Sequence, residues 1–302
     1  MSNTLKPISI ILLAFLLVLI WGVGWPAIAI GLPDCPPIWY STIRLVIATV
    51  LVFTIVPLVD RLIIPKKKDL PLIFSIGFVQ IGVFVMLITL GMEFVPPGRS
   101  AIIAYIFPYF VTPIAVLFFG EKLTFGKIMG LLLGAIGILL LFSPWELDWH
   151  NKNTLIGNGF LVLAAICWAG VMLHTRYTKW VRESHLLLPW QMLVSIIPSL
   201  SIALIFSPHP HIILTEKFLI SISYSAILSS GVAYWLLIIL SRQLSVITMS
   251  LILLATPVIG LLSSAFLVEE ELTTNIIISL IFIIVGLVFL FSQPDTSKQI
   301  KQ

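Results

Sequence analysis

The chain has 302 residues, of which 59% are hydrophobic and only 10% charged, with a mean hydropathy of +1.14. An ordinary soluble domain carries roughly a quarter charged residues, so a water-exposed enzyme, a disordered chain and a nucleic-acid binder are all disfavoured. The net charge of +4 is small, and where the charges lie matters more than their sum.

A bilayer-crossing helix needs about 20 apolar residues, and ten apolar runs follow one another along the chain. Lipid offers the backbone no partners, so these runs are read as helices and not as weakly alternating barrel strands. Span 1, near 8–30, holds Trp21-Gly22-Val23-Gly24-Trp25. Its Ala27-Ile28-Ala29 resembles a signal-peptidase site, but the run is long and more spans follow, so a retained helix is expected. Span 2, near 37–58, contains Arg44, the one basic residue well inside a span. The basic loop Pro65-Lys66-Lys67-Lys68-Asp69 leads to span 3, near 70–92, with Gln80 at its middle. Span 4, near 97–119, carries Tyr105, Pro108, Tyr109 and Thr112 at helical spacing, on one face. Gly120-Glu121-Lys122-Leu123-Thr124 opens the glycine-rich span 5, near 125–143. A polar segment, 144–154, is expected to link this to span 6, near 155–177, with Trp168 and His174. Spans 7 (186–206), 8 (217–240, with Ser230 and Tyr234), 9 (245–267, with Thr256 and Pro257) and 10 (273–292) complete the set.

Lys and Arg set the orientation. With the N-terminus inside, the inner segments hold 13 of the 17 basic residues and the outer segments only Arg99, Lys152 and Lys217. Both termini are therefore expected inside.

An internal repeat is the most informative feature. A shift of 149 residues places Glu121-Lys122-Leu123-Thr124 on Glu270-Glu271-Leu272-Thr273, Pro108 on Pro257 and Gly137 on Gly286. It also places Gly82-Val83 on Gly231-Val232 and Leu141-Phe142-Ser143 on Leu290-Phe291-Ser292. With small offsets Trp21 meets Trp168 and Trp39 meets Trp190. Each half has five spans, an odd number, so the second half lies upside down relative to the first. The expected fold is an all-α membrane protein of ten transmembrane helices, built as two inverted-topology five-helix repeats. The first repeat is 1–143, the linker 144–154 and the second repeat 155–302 with a short tail. Inverted repeats of this kind are the architecture of secondary transporters, whose site lies at mid-membrane between the halves.

On these residues the chain resembles the EamA branch of the drug/metabolite transporter superfamily. The likeness rests on the Trp21–Trp25 stretch, Arg44, Gly120 to Thr124 with the glycine-rich helix after it, and Glu270-Glu271-Leu272-Thr273. It implies a multi-pass protein of the bacterial cytoplasmic membrane that moves a small metabolite, several such proteins being exporters of amino acids and related compounds. Span 7 departs from the pattern, having Ser195 and its neighbours where a counterpart of Arg44 would stand.

The acids all lie at span ends or in loops, which argues against a carboxylate proton relay at the centre. A proton-coupled mechanism would need Glu93, Glu121 or His174 to reach the path. Candidate substrate contacts are Trp21, Trp25, Gln80, Tyr105, Tyr109, Trp168, Ser230, Tyr234 and Thr256. They describe an apolar, aromatic cavity with a few polar groups, lined by spans 1, 3, 4, 6, 8 and 9. Trp39, Trp145, Trp149, Trp180 and Trp190 suit interfacial anchors. Pro108 and Pro257 each remove a backbone bond and should bend spans 4 and 9 in parallel. Arg44 has two readings: an anion contact for substrate, or a structural tie by snorkelling or within its own half. Glu121 and Glu270 read as turn-and-cap residues. Thr256, Pro257, Gly260 and Ser264 form a small, polar face of span 9.

No metal-ligand cluster or cofactor fingerprint is present, so no cofactor is expected. A membrane enzyme would need a nucleophile with a base, and Ser229, Ser230 and Thr256 have no His, Lys or acid nearby in sequence. A sugar-phosphate or nucleotide-sugar exchanger of the same superfamily would need paired cations facing the cavity. The expected partners are a small-molecule substrate and the lipid bilayer, with no nucleic acid, and the chain is a monomer or homodimer.

Overall fold

The computed structural model describes residues 7–59, 61–142, 151–178, 184–271 and 273–291. Residues 144–150 of the linker, Trp145, Trp149, Trp180 and the C-terminal lysines fall outside the described residues. The described residues are helical and form ten spans. Eight are long and apolar enough to cross a bilayer: Pro7–Asp34, Pro37–Leu58, Lys67–Gly91, Pro97–Phe119, Lys152–Tyr177, Leu186–Phe206, Glu216–Gln243 and Val246–Leu267. Spans 5 and 10 are shorter apolar helices, Phe125–Leu140 and Ile277–Phe289. The outward faces of the long spans are apolar: Leu58, Leu117, Phe118, Phe206 and Phe266 are all exposed. In water that surface would be prohibitive; in lipid it is solvent-matched.

Span 6 begins at Lys152, earlier than its hydropathy suggests, because Asn151 caps it: the Asn151 side-chain oxygen accepts from the amides of Asn153 (3.0 Å) and Thr154 (3.4 Å). The cap builds a polar first turn that no apolar count detects, so the helix takes in the last residues of the expected linker.

The twofold repeat is visible in the packing. Span 1 lies against spans 8 and 9, as span 6 lies against spans 3 and 4. Spans 2 and 7 pair with each other, as do spans 5 and 10. Trp39, at the start of span 2, donates to the Ser207 carbonyl at the end of span 7 (2.7 Å). Trp190, near the start of span 7, donates to the Ile63 carbonyl just beyond span 2 (2.7 Å). The two indoles expected to sit at the membrane interface thus fasten one helix pair at both ends.

Two backbone irregularities recur in both halves. The helix of span 4 ends at Ala104 and resumes at Pro108; that of span 9 ends at Leu253 and resumes at Thr256. Tight bonds to the third preceding residue bridge the breaks, Ile106 N to Ile103 O (3.3 Å) and Leu254 N to Leu251 O (3.1 Å). Pro108 and Pro257 stand in the first turn of the resumed helix, where a missing N–H costs nothing. Spans 3 and 8 each contain a π-helical stretch, Phe74–Val83 and Tyr224–Val232, at matching places. Wide turns of this kind free carbonyls from the ladder and cluster at functional sites.

The turn after span 4 places Gly120 at φ 66°, and the matching turn after span 9 places Glu269 at φ 57°. Left-handed backbone strains any residue with a Cβ. Glu269→Gly is therefore expected to stabilise the protein by roughly 0.5–1 kcal/mol, set against the entropy glycine gains in the unfolded chain. A thermal melt of the purified protein checks this, and an unchanged or lower melting temperature would contradict it. Cys35, in the turn between spans 1 and 2, is a free thiol that burial and the neighbouring Asp34 push up to about 12, so it stays protonated and unreactive.

Candidate functional site

Trp21 and Trp25 stand one turn apart in the second half of span 1, and both are buried. Across the interface between the halves, Trp168 of span 6 and Tyr234 of span 8 meet Trp21 edge-on, with ring centroids at 5.3 and 5.5 Å. Phe84 of span 3 lies 4.6 Å from Trp168, and Phe107, in the span 4 break, lies 6.0 Å from it. Trp168 is thus the hub of a ring cluster drawn from five helices. Trp25 and Tyr105 form a further edge-on pair at 6.3 Å.

Above this cluster is a small cavity of about 30 Å³. Span 1 contributes Trp21, Gly24, Trp25 and Ile28; span 2 contributes Arg44; span 3 contributes Phe84, Val85 and Ile88. Tyr105 comes from span 4, Trp168 from span 6, and Ser229 and Tyr234 from span 8. Ile28 and Ile88 lie near the ends of their helices at the side of the 1–2 turn, so the cavity occupies that half of the molecule.

The π-helical stretches supply the polar ties. Trp21 Nε1 donates to the Ser229 carbonyl (3.0 Å), and Tyr234 O–H donates to the Gln80 carbonyl (3.3 Å). Ser229 and Gln80 are equivalent positions of the repeat. Gly24 lets span 1 approach span 8: a Cβ there would stand 2.9 Å from Ser229 Oγ.

Several expected contacts are placed elsewhere. Trp21, Trp25, Tyr105, Trp168 and Tyr234 come together at the cavity. Ser230 sits behind it, accepting from Arg44 Nε at 2.7 Å. Gln80 is buried and offers its carbonyl to Tyr234. Tyr109 turns away and donates to the Leu131 carbonyl of span 5 (3.0 Å). The break between Ala104 and Pro108 is the reason, since helical spacing does not carry across it. Thr256 is fully buried but outside the cavity wall. The small face of span 9 receives span 1, with Gly260 opposite Trp25 and Gly22. Span 2, through Arg44, replaces span 9 in the lining. Phe84, Val85, Ile88 and Ser229 carry no sequence signal of their own, whereas Gly24 stands within the Trp21–Trp25 motif.

Arg44 corrects its structural reading. It is only 4% exposed, so it does not snorkel. Its bond to Ser230 crosses from span 2 to span 8, so it ties the two halves and not its own.

The two repeated acids also act across the halves. Glu121, in the turn between spans 4 and 5, accepts from the Val246 amide at the start of span 9 (3.4 Å) and from Tyr177 O–H (2.9 Å). Glu270, in the turn between spans 9 and 10, accepts from the Gly98 amide at the start of span 4 (3.1 Å). Each acid thus sits at the N-terminus of the opposite half's helix, where the dipole favours it. They are caps, as the sequence suggests, but of a different helix. Lys127 Nζ to Ser245 Oγ (3.3 Å) reinforces the Glu121 side. Burial holds the Glu270 carboxyl above the usual carboxylate range, against the Gly98 amide and Arg99, which favour the anion.

Residues 8–143 and 155–292 each match the EamA-like transporter family. An uncharacterized transporter of Bacillus subtilis, YoaV, is 27% identical over 271 residues, covering 89% of this chain and 92% of that protein. A probable amino-acid metabolite efflux pump of Escherichia coli is 26% identical over 289 residues, covering 91% and 92%. A solved crystal structure superposes with a TM-score of 0.76 over 94% of this chain and 96% of its own, at 16% identity, and so shares the fold. With its matched breaks, its matched wide turns and both halves covered by one family, the chain belongs to the EamA-like transporter family.

Proposed function

We infer that the protein exports a small amphipathic metabolite, an amino acid or related compound, across the bacterial cytoplasmic membrane by alternating access. One observation carries the reading. The cavity lies between two inverted halves, is floored by rings from both, and has a matched acid latch at each end of the molecule. A Glu121 latch closes one end and a Glu270 latch the other, so opening either side requires one half to rock away from the other. The span 4 break, through Tyr105, and the span 8 wide turn, through Ser229, reach the cavity wall, and with their counterparts in spans 9 and 3 they supply the places where such rocking is absorbed. The aromatic walls suit an apolar body, as expected of a small-molecule site. The efflux-pump name of the E. coli relative supports the substrate class and the direction.

The test is uptake of a labelled amino-acid panel into proteoliposomes containing the purified protein. Saturable transport of at least one apolar or aromatic member is expected. No transport of any member by protein that melts cooperatively would contradict the reading.

A further inference from the structure

The cavity contains an unbalanced set of polar groups. Arg44 is buried, its Nε donates to Ser230 Oγ at 2.7 Å, and its Nη1 is buried without a protein partner. None of the residues lining the cavity is acidic. A guanidinium taken out of water is costly unless an anion balances it. Trp168 is 2% exposed, and its Nε1, which can only donate, also has no partner. Its repeat counterpart Trp21 donates to the Ser229 carbonyl; the matching carbonyl, Gln80, is taken by Tyr234. Ser229 Oγ is a third buried atom without a partner. The open groups are therefore two donors, one of them charged, and a hydroxyl.

We propose that this cavity selects a monocarboxylate with an apolar or aromatic body, and that an ammonium group on the same molecule is dispensable. The proposal rests on reading the cavity as the substrate site and names what that site recognises. A carboxylate offers two oxygens that only accept, and its single negative charge matches the single cation. A phosphate monoester brings close to two negative charges at neutral pH, and the second finds no cation among the lining residues. An ammonium finds no carboxylate, only aromatic rings such as Trp25 and Tyr105, and it is repelled by Arg44. The apolar body then lies against the Trp21, Trp25 and Tyr105 rings.

The experiment is equilibrium binding to the full-length purified protein in detergent, read by ligand-induced thermal shift and calorimetry. The probes are 3-phenylpropanoate, phenylalanine, 2-phenylethylamine and phenyl phosphate. The expected order places 3-phenylpropanoate within about tenfold of phenylalanine, with the amine at least about tenfold weaker, as a lost charge-assisted hydrogen bond requires, and the phosphate at least about tenfold weaker because its second charge is buried unbalanced. Arg44→Gln should weaken 3-phenylpropanoate by at least about tenfold while Arg44→Lys restores part of it, and Trp168→Phe, which keeps a ring but removes the donor, should weaken it about threefold to tenfold. Amine binding as tight as that of 3-phenylpropanoate, equal binding of the phosphate, or no binding of 3-phenylpropanoate at millimolar concentration would overturn the proposal. So would an unchanged affinity in folded Arg44→Gln or in Trp168→Phe. The readout is binding, so a protein that binds the carboxylate yet transports nothing would refute the export reading and leave this one standing.

Discussion

Trp168→Ala is expected to cost about 3–5 kcal/mol of stability, the range for removing a large aromatic side chain from a packed core, and to reduce transport by at least about tenfold, the rate equivalent of roughly 1.4 kcal/mol. The indole is 2% exposed and touches rings of Trp21, Phe84, Phe107 and Tyr234. These come from spans 1, 3, 4 and 8, so no single neighbour can move in to fill the space. The alanine leaves the cavity floor open and uncouples the two halves at their central contact. Trp168→Phe keeps most of the packing and should keep most of the melting temperature. Thermal melts with uptake measurements separate the two effects. A Trp168→Ala protein with normal melting and normal transport would remove the ring cluster from the account.

Gly77→Ala should also be clearly destabilising, although it adds a single methyl group. A Cβ on Gly77 in span 3 would run into the Gln191 carbonyl oxygen, with Gln191 Cα at 2.9 Å and its carbonyl carbon at 3.0 Å. These are backbone atoms of span 7, and a helix backbone cannot swing aside as a side chain can. Spans 3 and 7 must separate, and the expected loss is about 1–3 kcal/mol. The same change at Gly170 of span 6 meets nothing within 4 Å. There alanine should stabilise by about 0.5–1 kcal/mol through helix propensity alone. Opposite shifts in melting temperature are expected from one chemical change, and equal shifts would show that the close approach of spans 3 and 7 is absent.

The sequence made some of this legible. Ten apolar runs marked the spans, and the 149-residue repeat carried the architecture because an odd number of crossings per half forces inversion. The paired prolines pointed to the breaks in spans 4 and 9. The π-helical stretches were not legible, since a wide turn requires no particular residue. The face shared by Tyr105 and Tyr109 was misread for a related reason: period counting assumes an unbroken helix, and this one breaks between them. The Glu121 and Glu270 repeat was visible, but its partners were not, because a contact between residues 172 positions apart leaves no local pattern. Arg44 showed itself as an intramembrane charge; that its partner belongs to the other half required the packing.

Central to the account is that the two halves alternate around one cavity, held by one acid latch at each end. Each latch contributes on the order of 1 kcal/mol, so removing one should shift the balance of open forms about threefold to tenfold. With Cys35 and Cys167 replaced by alanine, Ile88→Cys places a thiol in the cavity wall on the Glu270 side, and a membrane-impermeant maleimide added from that side reports its exposure. Such alternation requires faster labelling in the Glu270→Ala background and slower labelling in Glu121→Ala, relative to the parent. Rates that move in the same direction, or not at all, would contradict it.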